Sequence, residues 1–516
     1  MNFTRRRGGI LLLLAAWALP IFPQGRPVSG SPQPPKLVLA IVVDQFRYDY
    51  LTRFRVEYTG GLKRLLEEGA NFTNANYRHV PTVTAPGHAT FLTGATPAVS
   101  GIIGNQWWER ATGATVTSVS DSATSLLGGS GKSSSPRRLL PSTIGDELKV
   151  AGKGGKVIGI SFKDRGAILP SGHSADGAYW FDAASGNFVS SSYYFQSLPG
   201  WVDEFNMTRA ADRFGGREWL NHKMPNSGKA LYEAFDDSVY SNELLQQFVL
   251  RALAAEKLGS GTKTDVLTVS YSGNDYVGHA YGPDSEEAHD AALRVDKLIG
   301  ELMRAAETQA GAGRVLTVLT ADHGVAPVPE ENVKRRMPGG RLASRQLGTS
   351  VEAVLQSKFG VGKWIAYSNG NAIYLNSAPA EAVGADMAEV ENIAARALQS
   401  LPNVFRVYTR TQLLNGAFGA DQVGLAVRNG FHFTRSPNLT VILDPYWIVS
   451  GGTGTTHGSP FDYDTHVPVL FHGARIKPGR FAAAIDPRDI APTLANILGI
   501  STPSGSSGRA LSEILK

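Results

Sequence analysis

Four short stretches of the chain are rich in Val, Ile and Leu, and each is followed by polar or charged residues. Such runs are typical of strands buried on both faces of a parallel sheet. Segments with helical spacing of apolar residues occur at 61–70, 142–150 and 285–308. This alternation predicts an α/β fold with a central, mostly parallel sheet. The four predicted strands are 36–43, 156–162, 265–271 and 314–321.

Two long stretches interrupt the alternation, and we interpret them as insertions. The first, at about 170–260, is irregular, and we expect it to lie over an edge of the sheet. Its aromatic residues are a candidate surface for stacking a nucleobase: Tyr179, Trp180, Phe181, Tyr193, Tyr194 and Phe195. The second, at about 330–450, mixes strand-like and helical segments and predicts a small α+β cap beside the main sheet.

The N-terminus has the pattern of an export signal. Arg5, Arg6 and Arg7 precede an apolar run from 10 to 19, which is too short to span a bilayer comfortably. We expect residues 1–25 to be a signal peptide, 26–35 a linker, and 36–516 one domain that carries both insertions. The protein is then periplasmic or secreted, with no membrane attachment after cleavage. An uncleaved membrane anchor is the alternative.

Charge and cysteine content narrow the possible functions. The chain has 50 Lys and Arg against 45 Asp and Glu, and loss of the three arginines in residues 1–25 leaves a net charge of +2. This balance provides no large basic surface, so nucleic acid is not expected as a specific partner. The chain has no cysteine, so any metal must be held by His, Asp or Glu.

Residues able to bind metals or phosphate follow the predicted strands. The carboxyl ends of parallel strands form the edge at which open α/β sheets place their ligands. Asp275 and His279 are four residues apart, so one helical turn brings them to one face. A further histidine, His457, stands in a Gly/Thr-rich loop with little to pack against. The strand-end residues are Asp44, Lys163, Asp164, Arg165, Asp275, His279, Asp322 and His323.

Thr84 lies at the predicted start of a helix, two residues before Pro86. The free N–H groups at such a helix end favour an anion such as phosphate. A threonine hydroxyl becomes a good nucleophile only when a base or a metal activates it. The alternative is an ordinary N-cap threonine.

The metal-binding residues divide into two predicted sites. Asp275, His279 and His457 form one, and Asp44, Asp322 and His323 form the other, with the Thr84 oxygen between or beside them. Zinc binds this mixture of imidazole and carboxylate readily. Two such metals can stabilise the attacking and leaving oxygens of an in-line displacement. We leave His88 outside both sites, in a packing or supporting hydrogen-bond role.

These residues, in this order, resemble the alkaline phosphatase superfamily, and its phosphodiesterase/nucleotide pyrophosphatase branch in particular. The resemblance covers residues 37–500 and implies a three-layer α/β/α fold with inserted cap segments. It also implies two zinc ions bound by the ligand set above, with Thr84 as the nucleophile of a phosphothreonine mechanism. A catalytically inactive scaffold protein of the same fold is the alternative from another class.

A narrower similarity concerns the substrate. Asn105 together with Lys163 and Arg165 resembles the bacterial phosphate-irrepressible alkaline phosphatases, in which these side chains hold the phosphate oxygens. We also expect the backbone N–H near Ala85 to bind phosphate. The similarity implies a phosphate monoesterase that acts on small-molecule phosphate esters. We expect broad specificity, because the leaving-group side has few predictable contacts, and a monomer. A phosphodiesterase or nucleotide pyrophosphatase on the same metals is the alternative.

Overall fold

The apolar run Leu37–Val43 forms β1, a fully buried strand within a ten-stranded sheet. The computed structural model describes residues 1–2 and 33–516. Residues 3–25 of the predicted signal peptide and most of the predicted linker therefore lie outside the described residues. Among those described, no helix has the length and apolar character needed to cross a bilayer.

The strands, in chain order, are β1, β2 (Ala70–Phe72), β3 (Gln106–Glu109), β4 (Ala114–Thr117), β5 (Leu126–Leu127), β6 (Gly154–Ser161), β7 (Gly177–Asp182), β8 (Asn187–Ser191), β9 (Glu218–Trp219), β10 (His222–Lys223), β11 (Thr264–Tyr271), β12 (Val315–Thr320), β13 (Gly340–Leu342), β14 (Ile365–Asn369), β15 (Ala372–Leu375), β16 (Val404–Thr409), β17 (Leu439–Leu443), β18 (Trp447–Val449), β19 (Val469–His472) and β20 (Gly479–Phe481).

The α-helices are α1 (Tyr50–Arg53), α2 (Gly61–Glu68), α3 (Thr84–Thr93), α4 (Pro97–Ser100), α5 (Ile144–Val150), α6 (Asp164–Ser171), α7 (Gly200–Met207), α8 (Gly228–Glu233), α9 (Tyr240–Ala255), α10 (Gly273–Tyr281), α11 (Glu286–Ala310), α12 (Pro329–Lys334), α13 (Ser344–Phe359), α14 (Ser377–Ala382), α15 (Met387–Gln399), α16 (Arg410–Leu414), α17 (Gln422–Gly430), α18 (Asp462–Thr465) and α19 (Ile490–Leu498). Short 3-10 helices occur at Pro136–Arg138, Ala210–Phe214, Ala234–Asp237, Pro487–Asp489 and Ser512–Ile514.

The main sheet has the strand order β20-β2-β19-β12-β1-β11-β6-β7-β8-β5. Its centre is parallel: β1 pairs with β12 on one side and β11 on the other, and β11 pairs with β6. Antiparallel strands are added towards the edges, where β19 pairs with β12 and β8 with β7. The carboxyl ends of β12, β1, β11 and β6 therefore meet side by side.

Helices cover both faces of this sheet. Alternate residues of a strand point to opposite faces, and in β1 they enter two different hydrophobic cores. Leu39 and Ile41 pack in the core formed with α2, α9 and α11, whereas Val38 and Ala40 pack in the core formed with α3, α5 and α19. The predicted three-layer α/β/α fold class is confirmed.

The aromatic segment of the first predicted insertion is part of the main sheet. Residues 177–191 form β7 and β8, so the expectation that this segment lies over a sheet edge is wrong. Tyr179, Trp180 and Phe181 are buried, which excludes them from a nucleobase-stacking surface. Tyrosine and tryptophan pack well in a strand that is covered on both faces, and local sequence does not distinguish that role from ligand stacking.

The second predicted insertion contains an antiparallel sheet of its own. Its four strands have the order β14-β15-β17-β16. α13 and α15 pack against them around a separate hydrophobic core that includes Trp364 and Leu398. We refer to these strands and helices as the α+β cap.

Candidate active site

Four acidic or basic side chains converge at the carboxyl edge of the parallel strands. Asp44 directly follows β1, and Asp322 lies just beyond the end of β12. Asp275 belongs to α10, which begins after β11, and Lys163 precedes the first residue of α6, which follows β6. Because these strands are neighbours in the sheet, residues far apart in sequence share one site.

Asp44, Asp322 and His323 form the first group of possible metal ligands. His323 Nε2 lies 3.5 Å from Asp44 Oδ1 and 3.3 Å from Asp322 Oδ2, and all three side chains are fully buried. These three atoms have no hydrogen-bond partner among the described residues. Buried polar atoms are normally satisfied, so three converging ones are suited to a cation.

Asp275, His279 and His457 lie together beside the first group. His279 Nε2 is 3.2 Å from Asp275 Oδ1 and 3.3 Å from His457 Nε2. The His323 ring also stacks on that of His457, with centroids 3.5 Å apart, and forms a possible ligand group with Asp275 and His457. His323 thus stands between the two predicted sites.

All three imidazole rings place Nδ1 against a backbone carbonyl. Nδ1 of His279, His323 and His457 lies 2.8–2.9 Å from a backbone carbonyl, those of Thr455, Gly324 and Thr82 respectively. Donation from Nδ1–H to a carbonyl leaves the Nε2 lone pair free, which is the tautomer of many metal-binding histidines.

The charges of the site do not balance. Burial, with Asp275 and Asp322 nearby, raises the pKa of Asp44 well above its usual range. Burial also opposes ionisation of Asp275, but Lys163 and His279 hold its pKa well below its usual range. Burial lowers the pKa of His323 and His457, so both rings are neutral near neutral pH. The carboxyl groups of Asp44, Asp275 and Asp322 thus share the single ammonium of Lys163, and the raised pKa of Asp44 reflects this incomplete compensation. An added cation would favour the ionised form of Asp44, and the residues fit a divalent metal.

Thr84 is the first residue of α3 and is almost completely buried. The N-cap is Val83, so the interpretation of Thr84 as an ordinary cap is wrong. Gly87 brings this helix against the site, since a Cβ there would lie 2.3 Å from the carbonyl oxygen of Asp322. The start of α3 and the end of β12 can approach this closely only with glycine at that position.

Asn105 lies beside the start of α3. Its Oδ1 accepts a hydrogen bond of 2.8 Å from the N–H of Ala85. The Ala85 N–H, expected to bind phosphate, is therefore engaged with Asn105 instead. Because the oxygen faces Ala85, the amide nitrogen of Asn105 points away from Ala85 and can act as a donor.

Lys163 and Arg165 differ in their surroundings. The Lys163 ammonium lies 2.7 Å from Asp44 Oδ2, also contacts Asp275 Oδ2, and sits 4.8 Å from the centre of the Tyr276 ring. Lys163 is thus paired with two carboxylates. Arg165 makes only a long ion pair of 3.9 Å with Asp164, and its buried Nε has no hydrogen-bond partner among the described residues.

Gln45 belongs to the site, although the sequence analysis did not single it out. Its backbone N–H donates to Asp322 Oδ1 at 3.0 Å and its side-chain amide to Asp275 Oδ1 at 2.6 Å. It holds two carboxylates in place and has a φ of 59°, which is uncommon outside glycine. The only signal in the sequence is its position directly after Asp44.

His88 forms hydrogen bonds next to the site, which is the supporting role expected for it. Its Nδ1 lies 2.9 Å from the Thr84 carbonyl and 3.2 Å from Asp322 Oδ2, while Nε2 lies 2.7 Å from Ser270 Oγ. Because Nδ1 carries at most one hydrogen, the nearer carbonyl of Thr84 takes it. His88 therefore links the start of α3 to the end of β12.

Comparison with known proteins agrees with this architecture. Residues 38–475 match the family described as Type I phosphodiesterase / nucleotide pyrophosphatase. The alkaline phosphatase PhoV of Synechococcus elongatus is 36% identical, with 93% of each chain covered. A Myroides odoratus protein named calcium-transporting ATPase is 35% identical, over 93% of this chain and 95% of its own. A crystal structure of wild-type alkaline phosphatase PafA superposes with a TM-score of 0.87 at 31% identity, covering 94% of this chain and 100% of that one.

The chain belongs to the type I phosphodiesterase/nucleotide pyrophosphatase family. The resemblance to the alkaline phosphatase superfamily is thereby confirmed, and the fold and relatives make this chain a hydrolase of that superfamily.

Proposed function

We propose that this chain is an exported, zinc-dependent phosphate monoesterase of broad specificity. Thr84 is its nucleophile, and a covalent phosphothreonine is its intermediate. The observation that carries the proposal is the position of Thr84 at the N-terminal end of α3, beside two groups of Asp and His that can hold metals. The names of the relatives PhoV and PafA support monoester hydrolysis.

Two zinc ions are held by the residues predicted from the sequence. Asp275, His279 and His457 hold one; Asp44, Asp322 and His323 hold the other, with the Thr84 oxygen. When bound, the metals supply Lewis acidity that favours the Thr84 alkoxide and stabilises charge on the oxygens of the ester. The unpartnered atoms of Asp44, Asp322 and His323 support this assignment.

Thr84 and its neighbours carry out the reaction in two displacements. Thr84 Oγ attacks phosphorus while the bond to the leaving oxygen breaks, so that the phosphoryl group is transferred to Thr84. Water then attacks phosphorus, the bond to Thr84 Oγ breaks, and inorganic phosphate is released. Lys163, Arg165 and the amide nitrogen of Asn105 hold the non-bridging oxygens through charge-assisted hydrogen bonds.

The monoester preference depends on Lys163 and Arg165. A monoester dianion has one more charged oxygen than a diester, and two cations stabilise it more strongly. Lys163 is paired with Asp44 and Asp275 in the structure. If bound metal ions neutralised these carboxylates, the Lys163 ammonium would be free to contact a phosphate oxygen.

The preference is measured as the ratio of kcat/KM for an aryl phosphate and its methyl aryl diester. We expect zinc-loaded protein lacking residues 1–25 to favour the monoester by roughly a hundredfold or more, since each charged hydrogen bond contributes about 1.5–3 kcal/mol. A preference for the diester would contradict the assignment. It would instead support the phosphodiesterase or nucleotide pyrophosphatase function that the family description includes.

Removal of the metals tests their role directly. Dialysis against a chelator should lower kcat by at least roughly a hundredfold and lower the Tm, because ligands that bind only the folded state stabilise it. About two equivalents of Zn²⁺ per chain should restore both quantities, whereas Mg²⁺ alone should not. Undiminished turnover by protein shown to be metal-free would exclude a metal-dependent mechanism.

Export and assembly form the last part of the proposal. We infer a periplasmic or secreted monomer without a specific nucleic-acid partner, on the basis of the basic and apolar pattern of residues 1–25 and the small net charge of the rest. Cell fractionation and the N-terminal sequence of the exported chain test cleavage. A chain that starts at Met1 and stays with the membrane fraction would support the uncleaved anchor.

A further inference from the structure

A cavity of about 530 Å³ opens between the main domain and the α+β cap, beside the candidate active site. Asn105 and His457 stand on its wall, together with Val83, the residue before Thr84. Its volume lies within the range of small-molecule sites, roughly 300–1,000 Å³. The proposed mechanism leaves this space without a role.

We propose that the cavity receives the leaving group and favours phosphate monoesters of uncharged, ring-bearing alcohols. The inference rests on the proposed function and defines its substrate class more closely. The protein still hydrolyses many phosphate monoesters, but it hydrolyses esters of uncharged, ring-bearing alcohols most efficiently.

The position of the cavity agrees with an in-line displacement. The attacking oxygen of Thr84 and the leaving oxygen must lie on opposite sides of phosphorus. The leaving oxygen therefore faces the group formed by Asp275, His279 and His457. Because His457 also lines the cavity, the rest of the leaving group extends into it.

The wall of the cavity is almost free of charge. Among the residues that the structure describes, no Lys, Arg or Glu lines it, and Asp464 is its one carboxylate. Asp464 is buried and accepts hydrogen bonds from the N–H groups of Gly458 and Ser459, and burial raises its pKa to about 7. A charged leaving group would lose its hydration here without gaining a partner.

Aromatic rings form much of the cavity wall. Tyr367 lies 5.9 Å, centroid to centroid, from the buried Tyr374, and Phe431 and Trp447 add further rings. Tyr367 and Trp447 are partly exposed, so each has ring surface that a substrate can cover. Ring surfaces of this kind stabilise a planar group by stacking and by burial of apolar area.

Amide side chains supply hydrogen bonds at the same wall. Asn369, Asn371 and Gln106 line the cavity. Their side chains make no hydrogen bond to any residue in the described part of the chain. An amide both donates and accepts, so these groups suit the polar but uncharged substituents of a ring.

Three phosphate monoesters with alkyl leaving oxygens separate this idea from the proposed function. They are ethyl phosphate, 2-(4-carbamoylphenyl)ethyl phosphate and 2-(4-carboxyphenyl)ethyl phosphate. The last two have nearly the same shape and differ in charge. We expect kcat/KM for the carbamoyl compound to exceed kcat/KM for ethyl phosphate by roughly tenfold or more. It should also exceed kcat/KM for the carboxylate compound by roughly fivefold.

Variants of the wall test the assignment. Tyr367→Ala should lower the carbamoyl-to-ethyl ratio of kcat/KM by roughly fivefold or more. Asn369→Lys should shift the preference towards the carboxylate, because it places a cation in the wall. Phe433→Ala is the matched control, because Phe433 is an exposed aromatic residue of the same cap that does not line the cavity. The carbamoyl-to-ethyl ratio of this variant should equal that of the unaltered protein.

Each outcome has a distinct meaning. Hydrolysis of ethyl phosphate with a carbamoyl-to-ethyl ratio near one would overturn the cavity proposal and leave the monoesterase proposal intact. The cavity proposal would also be overturned if Tyr367→Ala and Asn369→Lys changed the substrate preference no more than Phe433→Ala does. Absence of hydrolysis of all three monoesters, with turnover of a diester, would instead overturn the proposed function.

Discussion

Replacement of Thr84 by Ala is expected to abolish phosphate release while two zinc ions remain bound. The hydroxyl at the start of α3 is the proposed nucleophile, and six other side chains are the proposed metal ligands. We expect kcat/KM for a monoester to fall by at least roughly a thousandfold, as for loss of a nucleophile in other hydrolases. Steady-state kinetics and metal analysis of the purified variant measure the two effects.

Thr84→Ser is the matched control, because it keeps a hydroxyl at the same position. It should retain turnover within roughly tenfold and form a phosphoserine in place of phosphothreonine. An unchanged Tm in both variants shows that the fold is intact. Turnover of Thr84→Ala similar to that of the unaltered protein would exclude Thr84 as the nucleophile.

The double variant Lys163→Ala with Arg165→Ala is expected to lose monoester activity far more than diester activity. Loss of a single donor to a developing oxyanion costs about a hundredfold to a thousandfold, so kcat/KM for the monoester should fall by at least that factor. A diester offers fewer charged oxygens, and its kcat/KM should fall by less than roughly tenfold. An equal loss for both substrates would remove the physical basis for a monoesterase.

The single variant Arg165→Ala separates phosphate binding from structural support. Lys163 pairs with Asp44 and Asp275, so its loss also unbalances the charges of the site. Within the described part of the chain, the Arg165 side chain has only the long ion pair with Asp164, so its removal should leave the Tm and the zinc content unchanged. Arg137→Ala, at an exposed arginine paired with Asp121 outside the site, provides the control for loss of one positive charge.

Several residues that converge in the structure were predicted from sequence because their signals are local. An apolar run that ends in Asp44 identifies both a buried strand and the side chain at its carboxyl end. The four-residue spacing of Asp275 and His279 places both on one face of α10, and the structure has them 3.2 Å apart. The fold class follows from the same runs, since a strand covered on both faces has no polar alternation.

Roles that depend on neighbours were harder to predict. The aromatic residues Tyr179, Trp180 and Phe181 were a candidate stacking surface, but β7 buries them within the main sheet. The Ala85 N–H was expected to bind phosphate, but it donates to Asn105. In each case the residue type fits both roles, and only the adjacent strand or side chain distinguishes them.

The sequence by itself determined the α/β class, the strands that precede Asp44, Asp275 and Asp322, and the placement of Thr84 near the start of a helix. Each follows from periodicity or spacing within a few residues. Tertiary structure decided the position of His323 between the two ligand groups, the pairing of Lys163 with Asp44 and Asp275, and the cavity beneath the cap. These features bring together residues that are distant in the sequence. They depend on the strand order and the path of the loops, which local patterns do not encode.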